Sequence, residues 1–576
     1  MKTKNIAVVL AACITAGMLV GCSDNFLNRP PKDSLVDANF YKTDDQILAG
    51  TADLYSAVWK DYCDQANWKI GDVRAGLVFS PWATSADIRD FCTFNITGLS
   101  ASNVNAYKSF YQVVGQANTV IHNINTYAGS DVTSAVKNHA IAEARFMRAT
   151  AYTYLVMNYG AVPIIEDNLE SLNNPNLKRN TVESVWEFIK RDYTFASKNL
   201  SATELQEGRL TKWSAEGMLA RTFLTMAGAT GTLNQDYLDS AKYYADRVIT
   251  LSGKSLLTYY ADLFTYPYDN NDESLFELEW VYSSSSNLSY KYANTMVSQI
   301  TPSSSIAANG DGWGGGLSAT SYMLSLYDGL YVDGGASSGF TRDQRLHASF
   351  MLPGFAYSEL TATDESFLSA DHVVLYNPSS VTVSNPTDGN GYDLVTIKKY
   401  VVGNIPGQSG KQNYPNDTYM LRLAEMYMIY AEADVLKGTV DSKTYTYFNE
   451  VYKRAYKSTN NPNPTEFSDP LTLDVIFKER FKEFAMEGMA WYDLTRRSYY
   501  DLAGSIAILN SQDRGLFLAL PSPWPNPTGW SFTKTTWFTD DHVTANAASF
   551  IMSIPQIELS QAPSLSEDPV PYEFTN

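Results

Sequence analysis

Cysteine, histidine and long apolar runs are all scarce in this chain. Four cysteines in 576 residues, Cys13, Cys22, Cys63 and Cys92, leave little room for a disulfide framework. The five histidines (His122, His139, His347, His372 and His542) form no pair at ligand spacing, so no zinc signature is present and no metal site is assigned. Beyond residues 6–20, no apolar run approaches the ~18 residues that a spanning helix needs. Basic residues are outnumbered, 43 Lys and Arg against 62 Asp and Glu, for a net charge of −19. That field repels phosphate backbones and argues against nucleic acid as a partner. Charged residues of both signs make up only 18% of the chain, and a neutral, hydroxyl-rich ligand suits such a surface better than an ionic one.

Aromatics, by contrast, are abundant: 13% of residues, with 39 Tyr and 11 Trp. Most must fill the core of so long a chain. At the start, Lys2 and Lys4 precede an uncharged run, Ile6 to Val20, that ends in Leu19-Val20-Gly21-Cys22. The run is short for a membrane span and fits a secretory leader. Leu at −3 and Gly at −1 before a cysteine resemble the lipobox of bacterial lipoproteins. That resemblance implies cleavage after residue 21, lipidation of Cys22 and an exported body held at a membrane by its acyl chains, more than one of which is needed for firm anchoring. The mature chain then has 555 residues (576 minus 21) and a charge of −21 once Lys2 and Lys4 are lost. Cys63 and Cys92 remain; export permits a disulfide between them, and sequence does not show whether they are close.

Residues 22–42 read as an extended tether, broken by Pro30-Pro31. Thr43-Asp44-Asp45-Gln46 is a capping-box pattern that opens the body. Residues 67–102 lack helical period and read as a long loop, of the kind that is often functional. From 103 to 262 apolar residues recur at three and four, as in Tyr107, Tyr111, Val114, Ala117, Ile121 and Ile124. Helices are predicted there, including 183–199, 213–227 and 236–252, and again at 416–437, 441–457 and 472–488. Short connections make them antiparallel pairs of tetratricopeptide-like geometry, without a clean sequence repeat. Between about 265 and 415, Gly, Ser, Asn, Asp and Tyr dominate, and an irregular, loop-rich lobe is expected. The last segment, 501–576, is rich in Pro, Trp and Ser and reads as a wrap around a single body spanning 43–576, whose scaffold is 43–262 and 416–500.

Glu479, Glu483 and Glu487 fall at i, i+4 and i+8, about 5–6 Å apart if helical. Retaining glycosidases separate their two carboxyls by a similar ~5–5.5 Å, but those groups flank one bond from opposite walls. Residues on one helix face approach from one side, so a structural salt network with Arg480, Arg496 and Arg497 is the expectation, and no catalytic residue is assigned. Gly335-Ala336-Ser337-Ser338-Gly339 lacks the strand and helix that a nucleophile elbow requires. Asp388-Gly389-Asn390-Gly391-Tyr392-Asp393 reads as an Asx/Gly turn rather than a calcium loop. A sugar offers an apolar C–H face and a polar rim; an exposed ring stacks on the face at roughly 1–2.5 kcal/mol. Trp82 and Trp313, both in irregular segments, are the first candidate platforms. Trp68, Tyr290 and Tyr292 come second, and Asp72 and Arg74 are the polar candidates.

Five blocks then resemble the SusD/RagB family of outer-membrane nutrient-binding lipoproteins. They are the lipobox with Phe26-Leu27 and Pro30-Pro31; Glu143-Ala144-Arg145-Phe146-Met147-Arg148-Ala149 leading to Tyr159-Gly160-Ala161-Val162-Pro163; Gly208-Arg209-Leu210-Thr211-Lys212 with Ala220-Arg221 and Ala227-Gly228; Arg422-Leu423-Ala424-Glu425 with Ala431-Glu432-Ala433; and Glu479 to Ala485 with Glu487-Gly488 and Trp491-Tyr492-Asp493-Leu494. The resemblance implies a mainly α, SusD-like fold. It also implies a non-enzymatic surface protein without a cofactor, which binds a polysaccharide or oligosaccharide, or in some relatives a peptide. The implied partner is a SusC-type TonB-dependent transporter, and aromatic residues in comparable regions of the family contact glycan.

Overall fold

The computed structural model describes residues 37–79, 86–173, 176–229, 231–267, 269–284, 290–301, 312, 317–327, 341–352, 356–360, 374–375, 383–384, 391–392, 395–403, 405, 411–515, 517–521, 530–534 and 543–574. The leader, Cys22 and the tether up to residue 36 lie outside these residues. The end of the predicted tether is folded: Asp37–Phe40 is a short helix and Tyr41 is buried. Thr43 then caps the next helix, Asp44–Ala49, with the reciprocal Gln46 bond that its spacing predicts.

Five long helices follow: α1 (Ala101–Tyr127), α2 (Ser134–Tyr159), α3 (Val182–Asn199), α4 (Lys212–Met226) and α5 (Gln235–Leu251). Each packs on its predecessor. After the lobe the chain returns as α6 (Leu423–Lys437), which packs on α5 and is followed by α7 (Ser442–Tyr456), α8 (Leu473–Glu483) and α9 (Ala490–Ser498). Consecutive helix pairs around one large core, with a second apolar cluster between α6, α7 and α8, give the mainly α scaffold. Side-chain caps from Thr133, Thr181, Thr211 and Asp441 start four of these helices. Gly438, at φ 69°, ends α6 in the left-handed conformation that favours glycine.

Two predicted boundaries shift. Helix is predicted from 416, but Thr418–Arg422 forms strand β2, paired antiparallel with β1 (Ser274–Leu278). The last predicted helix stops at Glu483, because Met486 (φ 62°) and Gly488 (φ 73°) turn the chain. Glu487 is therefore off the helix that carries Glu479 and Glu483.

In the lobe a small antiparallel sheet joins Val78–Phe79, Ser318–Ala319, Thr396–Ile397 and Phe350–Met351 in that order. The C-terminal segment runs back over the first helices. Met552 N–H donates to Asn158 O, Gln556 N–H to Gly98 O and Val570 N–H to Arg179 O. Cys63 and Cys92 are both free and buried. No helix among the described residues is long and apolar enough to cross a membrane.

Candidate functional site

Within the segment predicted as a loop over 67–102, the described residues are helical at 67–73 and Ala86–Thr93, and 67–79 are buried throughout. Tyr62–Ala66 and Lys69–Val73 wind as wide π turns, with Arg74 N–H bonded to Lys69 O and Leu77 N–H to Asp72 O. Wide turns do not place apolar residues at three and four, so the 3.6 period is missing although the helix is present. Trp68 is 4% exposed, Asp72 0% and Arg74 1%, which removes all three as surface ligand contacts. They are structural. The Asp72 carboxylate accepts the N–H of Met486 (2.9 Å) and of Gly488 (3.0 Å). Burial pushes its pKa up to about 7. A Cβ on Gly71 would lie 2.3 Å from Gly488 Cα, so the two backbones meet here. Arg74 donates to Ser549 O at 2.6 Å and stacks 4.0 Å from the Trp491 ring.

Glu479, Glu483 and Glu487 are closed inside an ion network, as expected, but with other partners than the predicted ones. Arg345 binds Glu479 at 2.7 Å; Arg454, Arg422 (3.1 Å) and Arg345 (3.4 Å) all reach Glu483. Arg422 and Lys399 each reach Glu487 at 2.8 Å. Glu273 joins Arg422 at 2.5 Å and Arg454 at 2.8 Å. Burial raises the Glu483 pKa, but the cations outweigh it and hold the group down at about 2. The predicted partners serve elsewhere: Arg480 on Asp493 (2.7 Å), Arg496 on Glu432 (2.7 Å) and Arg497 on Asp474 (2.8 Å). Carboxylates so enclosed have no free face for a glycosidic bond.

A second carboxylate group carries no such compensation. Asp269, Glu277, Glu279 and Asp417 converge where β1 ends and β2 begins, and among the described residues no Lys or Arg pairs with any of them. Burial, then mutual repulsion, raises Glu277 to about 8 and Glu279 to about 7, and lifts Asp417 well above its ordinary value; burial takes Asp269 to about 6. Glu277 Oε2, Glu279 Oε1 and Asn416 Oδ1 are buried without a hydrogen-bond partner. Asp269, Glu277 and Asp417 each place one oxygen within 4.8 Å of the others. Oxygens on opposite sides of a Ca²⁺ at ~2.4 Å would be ~4.8 Å apart, so this donor set can hold a hard divalent cation. The signal was legible only in part: Glu277 and Glu279 interrupt an apolar strand, but nothing in the sequence ties them to Asp417.

Of the candidate platforms, Trp82 and Trp313 lie outside the described residues. Their anchors are described. Phe79 pairs with Ser318 in an antiparallel ladder, so the two segments depart from the same end of it. Tyr290 is 54% exposed, and Tyr292 is half-buried with its carbonyl accepting Val281 N–H. Missed by sequence reasoning were Lys60 and Trp280. The Lys60 ammonium lies 5.0 Å from the Tyr290 ring centroid and 5.4 Å from that of Trp280.

Residues 272–567 match the model of the SusD family, and residues 33–224 match one described as starch-binding, associating with the outer membrane. The chain belongs to the SusD family. A SusD-like protein of Bacteroides ovatus is 32% identical over 590 aligned positions, covering 100% of this chain and 99% of its own. A solved structure with xylogluco-oligosaccharide is 30% identical and covers 92% of this chain and 100% of its own, with a TM-score of 0.76. Surface glycan-binding protein A from Bacteroides thetaiotaomicron, solved with laminarihexaose, shares the fold at 19% identity and a TM-score of 0.63, covering 91% of this chain and 98% of its own. For this SusD-family chain, charged residues of the described blocks form buried ion pairs between distant segments. Glu143 binds Arg209 at 2.9 Å, Arg148 binds Asp192 at 2.8 Å, and Arg221 Nε donates to Glu425 at 3.0 Å.

Proposed function

We propose that this protein is a cell-surface lipoprotein that binds a polysaccharide or oligosaccharide and passes it to a TonB-dependent outer-membrane transporter, without cleaving it. The observation that carries the glycan reading is the end-to-end match, at 30% identity, to a structure holding a xylogluco-oligosaccharide. The exposed Tyr290 ring offers a platform for sugar stacking, and Trp82 and Trp313 are the further candidates, close in sequence to the paired Phe79 and Ser318. The enclosure of Glu479, Glu483 and Glu487 speaks against hydrolysis.

Affinity electrophoresis against xyloglucan, laminarin and a wider polysaccharide panel tests this. Retardation by at least one polysaccharide, weakened in Trp313→Ala or Trp82→Ala at unchanged melting temperature, is expected. Free mobility in every gel would overturn it, and shortened products would restore the enzyme. Lipid labelling that vanishes in Cys22→Ala, and co-purification with a transporter barrel, test the anchor and the partner.

A further inference from the structure

Lys60 is only 7% exposed, yet its ammonium lies 5.0 Å from the ring centroid of the exposed Tyr290. Nζ donates to Ala293 O and Thr295 Oγ1, at 2.7 Å each. The rings of Trp280 and Tyr290 also lie beside it, and the nearby Asp64 and Asp61 carboxylates favour its charged form. Trp280 is 4% exposed and pinned at two atoms: its N–H donates to Asp417 Oδ1 at 2.6 Å and its Nε1 to Thr418 Oγ1 at 3.0 Å. Tyr290 stands on the surface. One buried cation thus joins a fixed indole to an exposed phenol ring. It also ties the backbone that follows that ring to the helical turns around residue 60.

Burying an ammonium is costly, and burial pulls the Lys60 pKa down to about 8. A methionine of similar length would avoid that penalty but would leave the buried Ala293 O without its donor. The lysine thus anchors the segment and, through the same ammonium, bears on the orientation of the Tyr290 ring. An ammonium near a ring face attracts it and restrains the ring. A side chain ordered before binding loses less freedom when the ligand arrives, which is worth roughly 2- to 10-fold in affinity.

We propose that Lys60 is a positioning residue that holds the Tyr290 ring as a preformed stacking wall for a sugar. The proposal rests on the glycan-binding reading above. It is tested with Tyr290→Ala, Lys60→Met, Lys60→Arg and the double variant Lys60→Met/Tyr290→Ala, each against a polysaccharide that retards the wild type.

Lys60→Met should weaken binding about 2- to 10-fold, and Lys60→Arg should recover most of it. The double variant should bind no worse than Tyr290→Ala. Full affinity in Lys60→Met, full affinity in Tyr290→Ala, or additive losses would each overturn the proposal and leave glycan binding standing. Hydrogen exchange at the amides of Val281 and Asn294, which hold this segment, reads the same device without ligand. Exchange should quicken in Lys60→Met and not in Lys60→Arg; equal rates overturn the proposal. If no polysaccharide binds the wild type, the glycan reading fails and exchange alone decides the role of Lys60. Should Lys60→Met not fold, Lys60→Gln takes its place under the same outcomes.

Discussion

The β1–β2 ladder carries two kinds of buried acid, one at each end. Where Arg422 pairs with Ser274, Glu273 meets Arg422 and Arg454, and the neighbouring Glu483 is held at about 2. Where Thr418 pairs with Leu278, Glu277 and Asp417 lie close together with no cation paired to them among the described residues, and both are pushed upward. Glu273 and Glu483 at one end and Glu277 and Asp417 at the other are all buried, so burial alone does not set the protonation state. What differs is whether arginines arrive from α7, from residue 345 and from β2 itself. The first end is complete as a structural joint. The second is short of positive charge, and its orphaned oxygens suit an ion from solution.

The contrast is broken most severely at Glu483. Glu483→Gln leaves Arg454, Arg422 and Arg345 without their shared partner, and a loss of about 3–5 kcal/mol is expected in chemical denaturation. A loss under 1 kcal/mol would show the network to be slack.

At the other end, Ca²⁺ should stabilise the protein, by about 2.7 kcal/mol at a hundredfold excess over its dissociation constant. Glu277→Gln should abolish that gain. Equal melting temperatures in Ca²⁺ and in chelator would remove the ion from the comparison.

The two ends should also answer pH in opposite directions. In chelator, the folded protein keeps protons on Glu277, Glu279 and Asp269 that the unfolded chain releases from about pH 4. Their contribution is present at low pH and is lost as pH rises through about 6 to 8. Glu483 behaves the other way: its contribution is present above its ordinary value of 4.5 and is lost as pH falls toward 2. A stability profile in chelator that is flat between pH 5 and 8 would contradict the first half.

The smallest effect is expected at Asp72. Asp72→Asn keeps an acceptor for one of the two N–H groups and should cost about 1 kcal/mol. Glycan retardation should not change; a loss of retardation would return Asp72 to the binding surface.

Most of the scaffold was legible because its helices obey local rules. Helical spacing and short connections put α3, α4, α5 and α7 within one or two residues of their observed ends. The region around Trp68, Asp72 and Arg74 was illegible for an equally local reason: its π turns break that spacing, and a buried helix then looks like a functional loop. Leu421 illustrates another limit. It fits a helical face by spacing, yet its backbone pairs with β1, from which it is separated by well over a hundred residues.

The sequence by itself determined the helices, the acidic surface and the family blocks, since each follows from the order of neighbouring residues. Only the tertiary structure decided which charges meet. It sent Arg345, Arg422 and Arg454 to Glu483, left Glu277 and Asp417 with no paired cation among the described residues, and set Lys60 beside both Trp280 and Tyr290. Electrostatic energy depends on distance and on exclusion of water, and neither quantity is written in the spacing along a chain.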